Sequence, residues 1–293
     1  MTSTENRGLL AALTTAGHTV DHLRPATVRP GLAQYWADLV QRRHFIWRDS
    51  RSRSGTQYAG TFLGRLWFFL MPLIDAVFYW LIFGVVLGVS RGMDNFVAYV
   101  IVGVLMFRST ARVMNSATVS LRSSRAMIRA FVFPRASVPI SGVLRELLAV
   151  FPMVAVMLVL IIAIPPGVEV GVMWLLMPFV LLLQAGLNLG LALWLARLGH
   201  MLPDLSRVIS VAVRFLMYGS GVIFPIDRFL TMPLVKTICD LNPIFQMLTA
   251  YRSLLIHNEM PPASTWATLI VWVVVLVSTG FVFFWRGEST YGR

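Results

Sequence analysis

The stretch WATLIVWVVVLVSTGFVFFW, residues 266–285, is twenty residues long and contains no ionisable side chain. At about 1.5 Å of rise per helical residue it reaches about 30 Å, the thickness of a bilayer's hydrocarbon core. Lipid offers no partner to an exposed N–H or C=O, so such a stretch must close its own hydrogen bonds as a helix. The rest of the chain agrees. Its 293 residues are 57% hydrophobic and 13% charged, against roughly 45–50% and 25% in soluble domains. A soluble globule cannot hide that excess, and the fold class read from it is an all-α integral membrane protein.

Five further stretches are apolar enough to cross: 66–89, 96–114, 138–165, 172–195 and 208–226. Six spans put both termini on one side. The arginines choose it: seventeen of the 25 basic residues fall on the side of the N-terminus and four on the other. That asymmetry predicts cytoplasmic termini and a multi-pass protein of the cytoplasmic (inner) membrane. The formal net charge of +12 then marks a surface facing acidic lipid headgroups, not nucleic acid. Residues 1–30 carry Glu5, Arg7, Asp21, Arg24 and Arg29 with two prolines, and read as a mobile cytoplasmic tail in place of a signal peptide. The organisation expected is a tail (1–30), an amphipathic interface helix with its linker (31–55), and a six-span domain (56–293).

Three segments are neither span nor simple loop. From Leu32 to Trp47 the apolar residues 32, 35, 36, 39, 40, 46 and 47 follow helical spacing. Trp36 and Trp47 have the amphipathic rings favoured at headgroup level, which suits a helix lying in the inner interface. Between the second and third spans runs LRSSRAMIRAFVFPRASVP. Its Arg122, Arg125 and Arg129 share one helix face, Met127, Ile128 and Phe131 another, and Pro134 ends the element. A two-faced helix there can dock a soluble partner, or can simply fix topology on anionic lipid. After the fifth span, residues 224–264 are largely apolar but broken by Pro225, Pro233 and Pro243. They read as half-inserted short helices shielding an exit, or as a cap on the membrane surface.

Several chemistries are missing. Lys236 and Thr237 follow FLTMPLV, which lacks the glycines of a phosphate-cradling loop. No HExxH or GxSxG motif occurs, and the single Cys239 excludes an intrachain disulfide or a cysteine metal cluster. The expectation is a conduit with no cofactor and no metal of its own. Charges at membrane depth are costly and mark functional candidates. Asp75 sits in the first span; Arg108 and Arg112 lie one turn apart on the second; Arg145 and Glu146 are adjacent on the third; Arg214 stands in the fifth. They line a polar passage that attracts phosphate, or they pair structurally, Asp75 with Arg108 or Arg112, while Arg145 and Arg214 snorkel. For Arg145 and Glu146 the structural reading is preferred.

At this point the residues resemble a known family. Arg48-Asp49, Leu63-Gly64, Trp67 and Pro72-Leu73 are similar to the stretch opening the membrane subunits of type-2 ABC exporters. Phe133-Pro134-Arg135 with Val138-Pro139 resembles the family's join between its coupling loop and third span. Pro203-Asp204-Leu205, Asn242-Pro243 and Tyr251-Arg252 fall where related motifs stand. Two departures lie on the cytoplasmic surface: Arg51-Ser52-Arg53 replaces basic-x-Arg-Tyr, and Pro203 replaces an arginine. The likeness is to permeases for lipid-linked polysaccharides of the O-antigen, teichoic acid and mycobacterial-type galactan kinds.

The resemblance implies a homodimer with two copies of a separate ABC ATPase, which carries the ATP and magnesium. Docking would fall on 121–133, through Arg122, Arg125, Met127, Ile128, Arg129 and Phe131, and near Asp204. The passage between subunits would use Phe69, Phe78, Tyr79, Phe107 and Tyr218 beside Asp75, Arg108 and Arg112. Arg42, Arg43, Arg51 and Arg53 would meet the diphosphate head of a polyprenyl carrier, with membrane lipid competing for them. Three other functions compete: export of a drug or lipid by the same fold, a membrane enzyme acting on polyprenyl phosphates, and a scaffold. The enzyme would need metal-binding acids, and the cytoplasmic loops after the first span offer only Asp204, with Glu288 in the tail.

Overall fold

The computed structural model describes Thr15 and residues 31–56, 62–82, 95–131, 133–165, 167–224 and 233–291, which form helices and turns and no strand. The helices are α1 (Leu32–Gln41), α2 (Arg43–Thr56), α3 (Trp67–Tyr79), α4 (Phe96–Ser123), α5 (Arg125–Ala130) and α6 (Ser137–Ala163). They continue with α7 (Met177–Met201), α8 (Leu205–Gly219), α9 (Pro233–Leu241), α10 (Pro243–Arg252) and α11 (Ala263–Arg286). Four segments are long and apolar enough to cross a membrane: α4, α6, α7 with the 3-10 turn before it (Val172–Met201), and α11. The chain is therefore a multi-pass membrane protein.

α7 is the central helix, with α4 on one side and α11 on the other; α6 packs across α4, and α2 and α3 pack on α6. Lipid tails are as apolar as leucine, so helices in a bilayer associate through close packing more than through water exclusion. The sequence provides for this with Gly186 and Gly190, spaced by four on α7. A Cβ at Gly190 would lie 2.5 Å from the Leu276 Cβ and 2.7 Å from its carbonyl carbon. This small-xxx-small seam lets the α7 and α11 backbones touch, and is a sequence signal that periodicity alone passes over.

Several expectations need correcting. The interface helix is two helices, broken at Arg42, whose φ of −91° and ψ of 15° leave the helical range. On α1, Tyr35 and Leu39 are buried while Leu32, Trp36 and Val40 stay exposed as an apolar stripe, with Trp36 edge-on to Phe281. The second span does not stop at residue 114: α4 runs to Ser123 because its second half packs along α7. The segment expected as the fifth span is the fifteen-residue α8, which has no fully buried residue and ends at Gly219. It is shorter than a bilayer crossing. The first span is seen as α3 continuing through a wider turn to residue 82, its expected remainder lying outside the described residues.

The broken segment after α8 does form short helices. Pro233 and Pro243 each open one, where a proline's missing N–H costs nothing. Asn242 caps α10, its side-chain oxygen accepting from the N–H groups of Ile244 and Phe245 at 2.9 and 3.4 Å. Pro225 lies outside the described residues.

Candidate functional site

Four of the six charged residues expected at membrane depth converge on one cleft. It has a volume of about 320 Å³ between α3, α4 and α6, and Asp75, Arg108, Arg112, Glu146 and Met153 line it. Helical spacing puts Arg108 and Arg112 one above the other on α4. Asp75 reaches from α3 to form an ion pair with Arg108. Glu146 reaches from α6 to Arg112, with 2.6 Å from Oε1 to Nη2 and 2.7 Å to Nε. Two cations and two carboxylates thus form a ladder without net charge, a form in which such groups are tolerated at depth. The pairing of Asp75 with Arg108 was one of the readings the sequence offered. The pairing of Glu146 with Arg112 was not: Glu146 turns to α4, while its neighbour Arg145 faces a different cleft. Arg214 is exposed on α8.

The aromatics named from the resemblance divide. Phe69 and Phe78 on α3 and Tyr218 on α8 are exposed, and Tyr79 is half-buried against Phe78. Phe107 is 3% exposed and belongs to the apolar core, so within this chain it packs and does not face an open passage. On α8, Val208, Val211, Phe215 and Tyr218 recur at spacings of three and four and are all exposed, forming one apolar stripe.

At the arginine-rich end, the 121–133 segment is not one helix. Arg122 closes α4, Ser124 breaks the helix, and Arg125 and Arg129 lie on the six-residue α5. Arg122 therefore does not share a face with the other two. Its guanidinium donates to the carbonyls of Gly199 at 2.5 Å and Pro203 at 3.3 Å, tying the end of α4 to the end of α7. On α5, Ile128 is buried, Met127 half-buried, and Arg125 and Arg129 exposed, as is Phe131 just after the helix. Asp204 is exposed and 3.6 Å from Arg207. Arg42, Arg43 and Arg51 are exposed at the break between α1 and α2 and beyond it; the Arg53 side chain lies outside the described residues.

The same end holds a clamp that sequence reasoning missed. The Tyr35 hydroxyl on α1 donates to Glu288 Oε2 at 2.7 Å and accepts from the Ala136 N–H at 3.0 Å. The Arg135 N–H donates to Glu288 Oε1 at 2.9 Å, and the Arg135 guanidinium to the Glu288 carbonyl. Tyr291 caps the end of α11 by donating to the Phe284 carbonyl at 2.8 Å. The start of α1, the approach to α6 and the C-terminal turn are thereby locked together, over separations of 153 and 253 residues that no local pattern reveals.

Burial pushes the Glu288 carboxyl above its ordinary range, against the opposing pull of the Arg135 N–H, the Tyr35 hydroxyl and the Arg135 charge. A raised folded-state pKa contributes stability at low pH that is lost as pH rises from the usual range, near 4.5, through the folded value. Hydrogen exchange corrected for intrinsic rate is therefore expected to show 284–291 losing protection as pH rises above the ordinary carboxylate range near 4.5. Glu288→Gln should flatten that dependence, and an unchanged slope in the variant would assign it elsewhere.

At the far end, Gln184 on α7 donates to the Met106 carbonyl at 3.0 Å and Thr110 Oγ1 at 3.1 Å, and accepts from the Tyr251 hydroxyl at 2.7 Å. Arg252, expected in an outer loop, is 5% exposed. Its guanidinium lies 3.4 Å from the Tyr99 ring centroid and donates to the Val222 carbonyl at 2.9 Å. A desolvated cation on an aromatic face gains about 2 kcal/mol, offsetting part of its burial. Among the described residues, no group of three or more His, Cys, Asp and Glu side chains could hold a metal ion.

Residues 43–256 match the family described as ABC-2 type transporter. The chain is 27% identical to the O-antigen export system permease protein RfbA of Myxococcus xanthus, over 89% of this chain and 93% of that one. Two permeases of the same name from Klebsiella pneumoniae are 24% and 22% identical, over 70% and 81% of this chain and 77% and 86% of theirs. The family match takes in the ion-pair cleft, α5 and the α9–α10 segment, nearly three-quarters of the chain, and the protein belongs to the ABC-2 type transporter family.

Proposed function

We propose that this chain is the transmembrane subunit of an ATP-driven exporter that carries a polyprenyl-diphosphate-linked cell-envelope polysaccharide from the cytoplasmic to the outer face of the inner membrane. The observation that carries the reading is the charge-balanced cleft at membrane depth, in a family member whose named relatives are O-antigen export permeases. The sequence has no phosphate-cradling loop, so ATP and magnesium belong to a partner ATPase, two copies serving a homodimer of this chain. The exposed stripes of α3 and α8 suit the contact between the two subunits and the wall of the passage between them. Phe69, Phe78, Tyr79 and Tyr218 offer faces on which sugars slide at low cost. Six spans with cytoplasmic termini complete the reading, α8 supplying most of the fifth.

In this reading the ATPase docks on the exposed side of α5 and near Asp204. The carrier's diphosphate enters past Arg42, Arg43, Arg51 and Arg53, and the proline-bounded short helices at Pro225, Pro233 and Pro243 gate the exit. Depleting the protein is expected to leave full-length lipid-linked glycan in the inner leaflet, measured by extraction and sizing. Truncated or missing polymer would point to a biosynthetic enzyme, and unchanged glycans to export of a drug or another lipid. Replacing Arg125 and Arg129 together by glutamate should abolish transport and ATPase co-purification with the permease still folded. Normal transport by that variant would remove α5 as the docking element.

A further inference from the structure

A second cleft, separate from the ion-pair ladder, lies at the arginine-rich end between α4 and α6. It holds about 220 Å³ and is lined by Ser116, Ser120 and Ser123 of α4, by Ser124 at the break before α5, and by Ser141 and Arg145 of α6. The spacing explains the lining. Residues 116, 120 and 123 fall on one face of α4, Ser124 follows at its end, and 141 and 145 lie one turn apart on α6. Ala192 of α7, Met127 of α5 and Asp49 of α2 contribute to the remaining walls.

Arg145 is the reason to assign this cleft a ligand. Eight residues into α6, it stands about 12 Å along the helix from Ser137. Among the described residues it makes no ion pair and no hydrogen bond. The neighbouring Glu146 is committed to Arg112, and Asp49 at the rim has a partner of its own. An unpaired guanidinium beside a wall of hydroxyls, at a depth where charge is costly, calls for an anion. The hydroxyls can supply the remaining donors. Ser116, Ser120, Ser123 and Ser141 now donate to carbonyls three residues back, at 2.7 to 3.2 Å. Such local bonds are weak and exchangeable. Ser124 Oγ makes none among the described residues.

We propose that this cleft binds a phosphate or diphosphate group, with Arg145 as its charged contact and the serine hydroxyls as donors to the remaining oxygens. Its volume lies below the about 300–1,000 Å³ of pockets that enclose whole drug-sized ligands, so it takes a head group and leaves the rest outside. An occupant would touch the wall formed by Met127 of α5. On the reading of α5 as the ATPase dock, on which this one step rests, a loaded head would be felt by the motor.

The test uses the full chain in lipid nanodiscs, with Cys239→Ala removing the native thiol and Ser120→Cys reporting on the cleft. The rate of maleimide labelling at position 120 is measured against farnesyl diphosphate, inorganic diphosphate and farnesol. Both diphosphates are expected to slow labelling several-fold and farnesol to leave it unchanged. Arg145→Gln should raise the concentration needed for protection by about tenfold or more, the loss of one charge-assisted contact, and Arg145→Lys should restore part of it. Farnesyl diphosphate acting at much lower concentration than the inorganic ion would identify a lipid head, and equal potency a soluble phosphate. Absent protection, protection by farnesol, or protection indifferent to Arg145→Gln in a chain that still elutes as wild type would overturn the proposal. None of these readouts requires an ATPase or a glycan, so failure of the export reading and failure of this one are separable.

Discussion

Glu146→Ala is expected to cost the purified protein about 2 kcal/mol of stability, read as a lower midpoint of thermal unfolding in detergent. The cause is the cation left behind more than the bond removed. Glu146 holds Arg112 at 2.6 Å, and 15% of its side chain is exposed against 41% of that of Arg112. Removing one partner from a fully buried pair costs about 3–5 kcal/mol, because the other charge stays uncompensated. The exposure of Arg112 lets water in the cleft screen part of that charge, so the figure here is about 2 kcal/mol. The Asp75–Arg108 pair shares the cleft and aggravates the loss, since two stacked arginines would then share one carboxylate. Replacing Arg112 and Glu146 together by methionine removes both charges, and that double variant should lose less than about 1 kcal/mol. With the two single methionine variants the double variant closes a cycle, and its departure from their sum measures the coupling. Equal losses would show that the pair contributes only packing.

The contrast between the two ion pairs shows which parts of this protein its sequence exposes. The spans α4, α6, α7 and α11 start near the beginnings of their apolar stretches, and α6 and α11 also stop near the ends, because lipid makes hydropathy and helix length one constraint. The pattern misled where a helix end was decided by its neighbours. Residues 115–123, NSATVSLRS, look like the start of a loop, yet remain helical because α7 supports them. The expected fifth span ends at Gly219, where Ser220-Gly221 turns the chain with Gly221 at φ +65° and Arg252 fastens the turn by the Val222 carbonyl. Tyr218-Gly219-Ser220-Gly221 carried that signal as a glycine-serine breaker. In the clefts, Asp75 and Arg108 stood out as charges inside apolar stretches, so their pairing could be anticipated. Glu146 was hidden by its neighbour Arg145, because adjacent helical residues diverge and the sequence does not say which helix each one faces. Glu288 gave no sign of this role: its partners lie 153 and 253 residues away along the chain.

Gly199→Ala is expected to cost about 3 kcal/mol, the upper end of what overpacking a well-filled interface costs. The direction is opposite to the local preference, since alanine gains about 1 kcal/mol over glycine in a helix interior. What decides is the backbone of α4. A Cβ at Gly199 would lie 2.7 Å from the carbonyl carbon and 2.8 Å from the Cα of Thr118, with the Thr118 oxygen closer still. None of these atoms is the movable tip of a side chain, so α4 and α7 must separate or tilt. Separation also strains the bond from Arg122 to the Gly199 carbonyl, at the point where the chain turns into α5. Gly142→Ala supplies the control: its Cβ would meet nothing within 4 Å, so the helix preference acts alone and stability should rise by up to about 1 kcal/mol. Arg122→Gln separates the two consequences, losing the carbonyl contacts without pushing the helices apart. If Gly199→Ala loses only what Arg122→Gln loses, the hydrogen bonds account for the effect and the helices have room to spare. If it loses about 2 kcal/mol more, the close approach of α4 to α7 is what seats α5, and the small residue at 199 sets its position.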